Sequence, residues 1–519
     1  MLIFETVLAL LLGASLLSAF AKRMGIPYPT LLALTGALVA FIPGAPRLDL
    51  PPELILALFV APVLMDAAYD TSLRDLRDNW SPILWLVLVA VGFTTIAVAF
   101  AARQLIPDLS WAAAIALGAL LSPPDAVAAL TVLRQVNPPH RIRKILEGES
   151  LLNDASALLI YKLAIGAAAV GAFSMADALP TFALVVVGSV VAGWLFGSLP
   201  AMLLHRIEDA PTSVIFQFVI TFAVWIAAER LGLSGVITIV VFGLTAARRT
   251  SYPMPARLRV ASFAIWESAT VVLNILAFTL IGLQIRPILE TLDGAERMRS
   301  IGAALAVLAV VIAVRFVWVM TYDVLARLRM RVFGSRAARS SARSSKTPTG
   351  KGALVVAWSG MRGIVTLGAA LALPVSFPHR DFILLTAFVV VLGTLVIQGL
   401  TLRPLLVFLR LPKDATVENE ITLAREAALK ASIASLLNDV SPAAQRLKSE
   451  YERALSNAKR GLDPYDTSDN TLRRQGLAVA RAAINDLRRT GVIGDDAYRF
   501  VEEELDRLEL STQSAQAPG

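Results

Sequence analysis

Stretches of about 20 predominantly apolar residues recur along this chain from Leu2 to Leu409, each long enough to cross a ~30 Å hydrocarbon core as a helix. Inside such a core every backbone N–H and C=O must find its partner within the protein, so windows of this length and composition specify helices. Thirteen spans are read from the sequence: 2–21, 28–43, 51–69, 81–102, 110–133, 144–173, 178–204, 212–230, 233–247, 262–285, 300–326, 352–375 and 382–409. The composition agrees, with 56% hydrophobic and 17% charged residues, too little charge to cover a soluble chain of 519 residues. The expected fold class is an all-α polytopic membrane protein. Its membrane domain is placed at 1–411 and a small cytoplasmic helical domain at 412–519.

Loop charge sets the orientation. Placing Lys22 and Arg23 inside puts the other basic loops there too, including Arg74/Arg77, Arg141/Arg143/Lys144, Arg248/Arg249 and the run from Arg327 to Lys351. About 21 basic loop residues then lie inside against about 7 outside, a positive-inside bias. The N-terminus is expected outside and the C-terminus in the cytoplasm, with the chain in the plasma membrane (the inner membrane of a bacterium). The first span has neither a basic n-region nor a small-residue cleavage site, so it reads as a retained helix. The net charge of +8 sits in the membrane-flanking loops, whereas 410–519 is slightly acidic. Membrane lipid is therefore the expected partner, and nucleic acid and soluble substrates are not.

The absence of cysteine excludes disulfides and thiol chemistry. His140, His205 and His379 lack ligand spacing, so neither a zinc-type site nor a cofactor is expected. The Ser-rich basic stretch 334–351 reads as a flexible linker. Beyond Pro412 two amphipathic stripes stand out: Leu472, Leu477, Ala480, Ile484 and Leu487, ending at Gly491, and Tyr498, Val501, Leu505 and Leu508, capped by Asp495 or Asp496.

Charged and helix-breaking residues inside the spans carry the chemistry. Glu149, Ser150, Asn153 and Asp154 lie in the sixth span, and a helix starting near Lys144 would carry Asp154 about 15 Å into the membrane. A carboxylate there costs at least ~2.5–3.5 kcal/mol, a burden borne where the group handles ions or protons. Positions four apart share a face, which sets Ser150 beside Asp154 and Glu149 beside Asn153. In the fifth span Pro123 and Pro124 remove two donors and break the helix; carbonyls freed before the break can ligate a cation, and Asp125 can cap the half that follows. Gly360, Arg362 and Gly363 mark a second discontinuous helix in the twelfth span. Asp66 lies near the inside end of the third span, and Arg315 lies mid-membrane and needs a carboxylate. Lys162, Glu267 and Asn274 are explained by snorkelling or helix–helix hydrogen bonds. Equivalent breaks in spans five and twelve suggest inverted repeats around a midplane site.

EGESLLNDASALLIY, SPPDAVAAL, SGMRGIVTLGAALALP and PVLMDAA occur here in the order in which similar segments occur in the monovalent cation:proton antiporters, and the chain resembles the bacterial NhaP-type sodium/proton exchangers over roughly 5–410. The resemblance implies a six-helix core that moves against a dimerisation domain, hence a homodimer. It further implies that Asp154 binds cation and proton in turn, that Ser150, Asp66 and the Pro124 carbonyl add oxygens, and that Glu149 pairs with Arg315. The third-span acid is Asp66 where that family more usually has Glu, and Pro occupies the carbonyl-donor position, so ion size preference is left open.

The candidate cation- and proton-handling residues are thus Asp154, Ser150, Asn153, Asp66, Pro124 and Asp125. Because Asn153, not a second Asp, precedes Asp154, one titrating group is available, and one-for-one electroneutral exchange of a monovalent cation, sodium first, is expected. A potassium/proton antiporter of the same fold, an ion channel and a non-transporting membrane sensor are the alternatives.

Overall fold

A computed structural model describes residues 2–43, 51–136, 138–170, 175–204, 207, 209–250, 256–292, 294–337, 350–412, 414–460, 462, 468–490, 492 and 495–512. The basic stretch 338–349, His205 and Gly491 lie outside the described residues; 334–337 continue the helix Gly294–Ala337, and 350–351 begin the helix Gly350–Trp358. The chain separates into two compact units, Met1–Pro412 and Lys413–Gly519.

In the first unit each apolar window falls on a helix or on helices that follow one another directly. Among the described residues seven helices are individually long and apolar enough to cross a bilayer, among them Ala210–Arg230 and Arg380–Leu409. The rest are shorter or interrupted. One of these is interrupted gently, by a π-turn at Leu56–Val60, and a second π-turn at Trp85–Ala90 lies within the long span Trp80–Leu105. Two are broken outright. Trp111–Leu121 and Ala126–Val136 flank Pro123 and Pro124, and Gly350–Trp358 and Ile364–Leu371 flank Gly360 and Gly363. The acid-bearing helix begins at His140 rather than near Lys144. Pro138 and Pro139 pre-set its first turn, where Ile142 N–H already donates to the Pro139 carbonyl at 2.9 Å. Asp154 therefore lies about 21 Å along it.

Small residues bring helices together where side chains have no hydrophobic incentive to associate. Gly36 of Tyr28–Val39 and Gly282 of Ala256–Leu283 meet backbone to backbone: a Cβ on Gly36 would come within 2.5 Å of the Thr279 carbonyl oxygen. The interior forms one large apolar cluster, which includes Leu117, Leu121, Phe388 and Leu395, and a second built from Met65, Trp225, Ile239 and Trp266. Large apolar side chains such as Leu12, Leu184 and Val219 are exposed on the outer faces of their helices, as suits a lipid environment.

In the second unit Thr416–Ser435 and Pro442–Lys459 pair around Leu429, Ala454 and Ala458. Ser441 caps the latter helix by accepting from Ala444 N–H at 3.2 Å. Ser468–Arg489 and Asp495–Thr512 form a second pair, with Arg481 bridging to Asp506 and Glu509.

Candidate functional site

The two breaks meet, and each satisfies backbone that the other leaves open. Asp125 N–H donates to the Met361 carbonyl at 2.6 Å, while Arg362 Nε donates to the Leu121 carbonyl at 3.0 Å. Arg362 also donates to the carbonyls of Gly360 and, at 3.4 Å, Ser122, and its backbone N–H donates to Thr394 Oγ1 at 3.0 Å. Irregular backbone at membrane depth survives only with such internal partners. Arg362 is fully buried, so this guanidinium serves as a fixed cation for the C-terminal carbonyls of the broken helices. The sequence marked Arg362 as part of a break; its carbonyl cage is invisible until the two breaks meet.

Asp125 caps its half-helix, with Oδ1 accepting from Val127 N–H at 2.8 Å. Its carboxylate also occupies the space where a side chain on Gly363 would begin. We expect Gly363→Ala to lower both the melting temperature and transport, by overpacking of about 1–3 kcal/mol. Gly166→Ala, where a new Cβ meets nothing within 4 Å, should do neither. Thermal melts of the two purified variants check this.

The acid-bearing helix His140–Val170 lies against the first break. Asn153, fully buried, donates from Nδ2 to the Pro124 carbonyl at 3.3 Å, and its Oδ1 is buried without a hydrogen-bond partner among the described residues. Asp154 is 7% exposed. It is near enough to Asp125 for the two charges to act on each other. Ser150 sits one turn earlier, half-buried. Asp66, also half-buried, lies on Ala61–Asp70, whose Met65 and Ala68 pack against Gly243.

Glu149 and Arg315, 166 residues apart, meet in a bidentate pair, with Arg315 donating to the two carboxylate oxygens at 2.6 and 2.9 Å. Arg315 donates in addition to the Val356 carbonyl at 3.0 Å, so the pair also holds the helix leading into the second break. A Cβ on Gly360 would strike the Arg315 side chain; glycine there lets both arginines approach the break. Lys162 does more than snorkel. It forms an ion pair with Glu229 of Ala210–Arg230 at 2.8 Å. Among the described residues no cluster of three or more His, Asp or Glu stands ready for a metal ion.

Two discontinuous helices that meet at their breaks, with a buried carboxylate on the helix packed against them in a bundle of apolar helices, match the broken-helix class of membrane transporter. The sodium/hydrogen exchanger, transmembrane family matches residues 7–408, and the chain belongs to that family. It is 31% identical to an uncharacterised Na+/H+ exchanger of Mycobacterium tuberculosis strain H37Rv, over 98% of this chain and 96% of the relative. A sodium, potassium, lithium and rubidium/H+ antiporter of Bacillus pumilus is 29% identical, over 97% and 76%. The fold is similar to that of the sodium proton antiporter MjNhaP1 from Methanocaldococcus jannaschii, with a TM-score of 0.58 at 16% identity, covering 79% of this chain and 99% of that one.

Proposed function

We propose that this protein exchanges a monovalent cation, sodium first, for a proton, with Asp154 the shared carrier. The observation that supports the reading is the burial of Asp154 on the helix whose Asn153 bonds to the first break at Pro124, with no carboxylate at position 153. A bare carboxylate is poorly tolerated there, so the site holds either a proton or a cation. A hard monovalent cation prefers oxygen ligands, and Asp154, the unpartnered Oδ1 of Asn153 and the Pro124 carbonyl offer them, with Ser150 and Asp66 as further candidates. The Asn153 amide already donates to Pro124, leaving that carbonyl's second lone pair for an ion. Asp125 and Arg362 hold the backbone around the site. Access alternates between the two sides as helix groups shift, in a plasma-membrane homodimer with its N-terminus outside and its second unit in the cytoplasm. Proton flux from everted vesicles with each alkali cation added in turn tests the reading; no flux with any of them overturns it. Potassium/proton exchange is the second reading. It is favoured by the breadth of ions named for the Bacillus pumilus relative and by the shorter acid at Asp66.

Stoichiometry follows from Asn153. With one titrating carboxylate the loaded site bears the same charge whether proton or cation is bound, so membrane voltage does no work on the cycle. One net charge moved would feel about 2.3 kcal/mol per 100 mV. In proteoliposomes sodium-driven proton flux should ignore a potassium/valinomycin clamp, and solid-supported-membrane currents should be near zero. Flux that rises with inside-negative voltage would instead require a second proton carrier, Asp125 or Asp66. Asn153→Asp is the companion variant, expected either to make exchange electrogenic or to disable it.

A further inference from the structure

The helix His140–Val170 lies on the seam between the two apolar cores. Its Ile142, Leu146, Tyr161 and Ala164 belong to the core that surrounds the two breaks, whereas Leu151 and Ala155 belong to the core of Met65, Trp225 and Ile239. Four polar ties link this helix to distant segments. Besides the Glu149–Arg315 pair and the Asn153–Pro124 bond, Ser156 Oγ donates to the Val87 carbonyl at 2.8 Å and the Tyr161 hydroxyl donates to the Ala369 carbonyl at 2.7 Å. All four reach segments that contribute residues to the first core. Leu151 and Ala155 meet the second core through apolar surface, which is non-directional and permits sliding.

Lys162 reaches the other way. Its Nζ stands 2.8 and 3.1 Å from the two oxygens of Glu229, on a helix whose Val224 and Trp225 belong to the second core. Glu229 is held in place by its own side of the seam, because Oε1 also accepts from Gly235 N–H at 3.0 Å across the turn that follows. Eight residues beyond Asp154, Lys162 is about 12 Å further from the His140 end. We propose that Lys162 and Glu229 form a latch across this seam, closing the approach to Asp154 from the end away from His140 and parting in every transport cycle. The proposal rests on the exchange reading above. The two side chains are 51% and 40% exposed, so the pair is locked into neither core. That suits a contact remade each cycle. The buried Glu149–Arg315 pair, by contrast, keeps the helix with the first core.

The chain has no cysteine, so Lys162→Cys/Glu229→Cys introduces an uncontaminated reactive pair. In proteoliposomes a short bis-methanethiosulfonate linker should bridge the two thiols and lower exchange at least tenfold relative to the same protein before reagent. Reduction should restore it. Each single-cysteine variant, treated likewise, controls for simple labelling. The charge swap Lys162→Glu/Glu229→Lys should recover exchange lost in Lys162→Glu alone, as an ion pair between the two positions requires, while the reversible block by the linker reads its parting in the cycle. Bridged protein that still exchanges at its starting rate overturns the latch, as does failure of the thiols to bridge. Absence of flux in the unmodified protein would instead overturn the exchange reading.

Discussion

Asp154→Asn should reduce exchange to below a tenth of the unmodified rate while the protein still folds and inserts. The amide matches the carboxyl group in shape, so little packing is lost. What disappears is the negative charge for which proton and cation compete. Asparagine neither takes up a proton in the working range nor neutralises a cation. The neighbouring Asn153 and Pro124 oxygens remain, yet neutral oxygens alone leave a monovalent ion uncompensated at about 21 Å along a membrane helix. Proton flux in everted vesicles, normalised to inserted protein, gives the answer, and residual exchange above a tenth would remove Asp154 from the centre of the mechanism.

Glu149→Gln should destabilise the membrane unit by about 3–5 kcal/mol, the usual cost of removing one partner of a buried ion pair. Both residues are almost fully buried, at 2% exposed for Glu149 and 4% for Arg315. Arg362 lies close enough for Arg315 and Glu149 both to act on its charge. Losing Glu149 therefore strands two buried guanidinium groups beside each other. Losing Arg315 leaves Glu149 near Arg362, which compensates part of its charge. The expected order of melting temperatures in detergent is Asp154→Asn highest, Arg315→Ala lower and Glu149→Gln lowest. The double variant Glu149→Gln/Arg315→Gln should regain part of the loss, because it removes both charges together. Equal melting temperatures across the single variants would count against the pair as a structural tie.

Much of this site was legible from local chemistry. The breaks at Pro123/Pro124 and Gly360/Gly363 follow from lost donors and missing side chains, and they occur where those residues stand. The basic residues at 141–144 look like a loop that precedes the acid-bearing helix. Pro138 and Pro139 organise them into its first turn. Lys162 is hidden for a related reason: a lone lysine inside a span has a sufficient explanation in snorkelling, and nothing near it in the chain announces Glu229.

Hydrophobic length and intramembrane charge are properties of short segments, so the sequence by itself determined the helical membrane class, the apolar spans, the carboxylates at 149 and 154 and the two helix breaks. Spacing along a helix predicts only neighbours one turn apart. Which distant groups meet depends on how helices cross, and that is set by close backbone approach at positions such as Gly36 and Gly282 and by the demand that broken backbone find partners. Only the tertiary structure decided that Arg362 sits among the carbonyls of Leu121, Ser122 and Gly360, that Asn153 bonds to Pro124, and that the Asp154 helix lies on a seam bridged by Lys162 and Glu229.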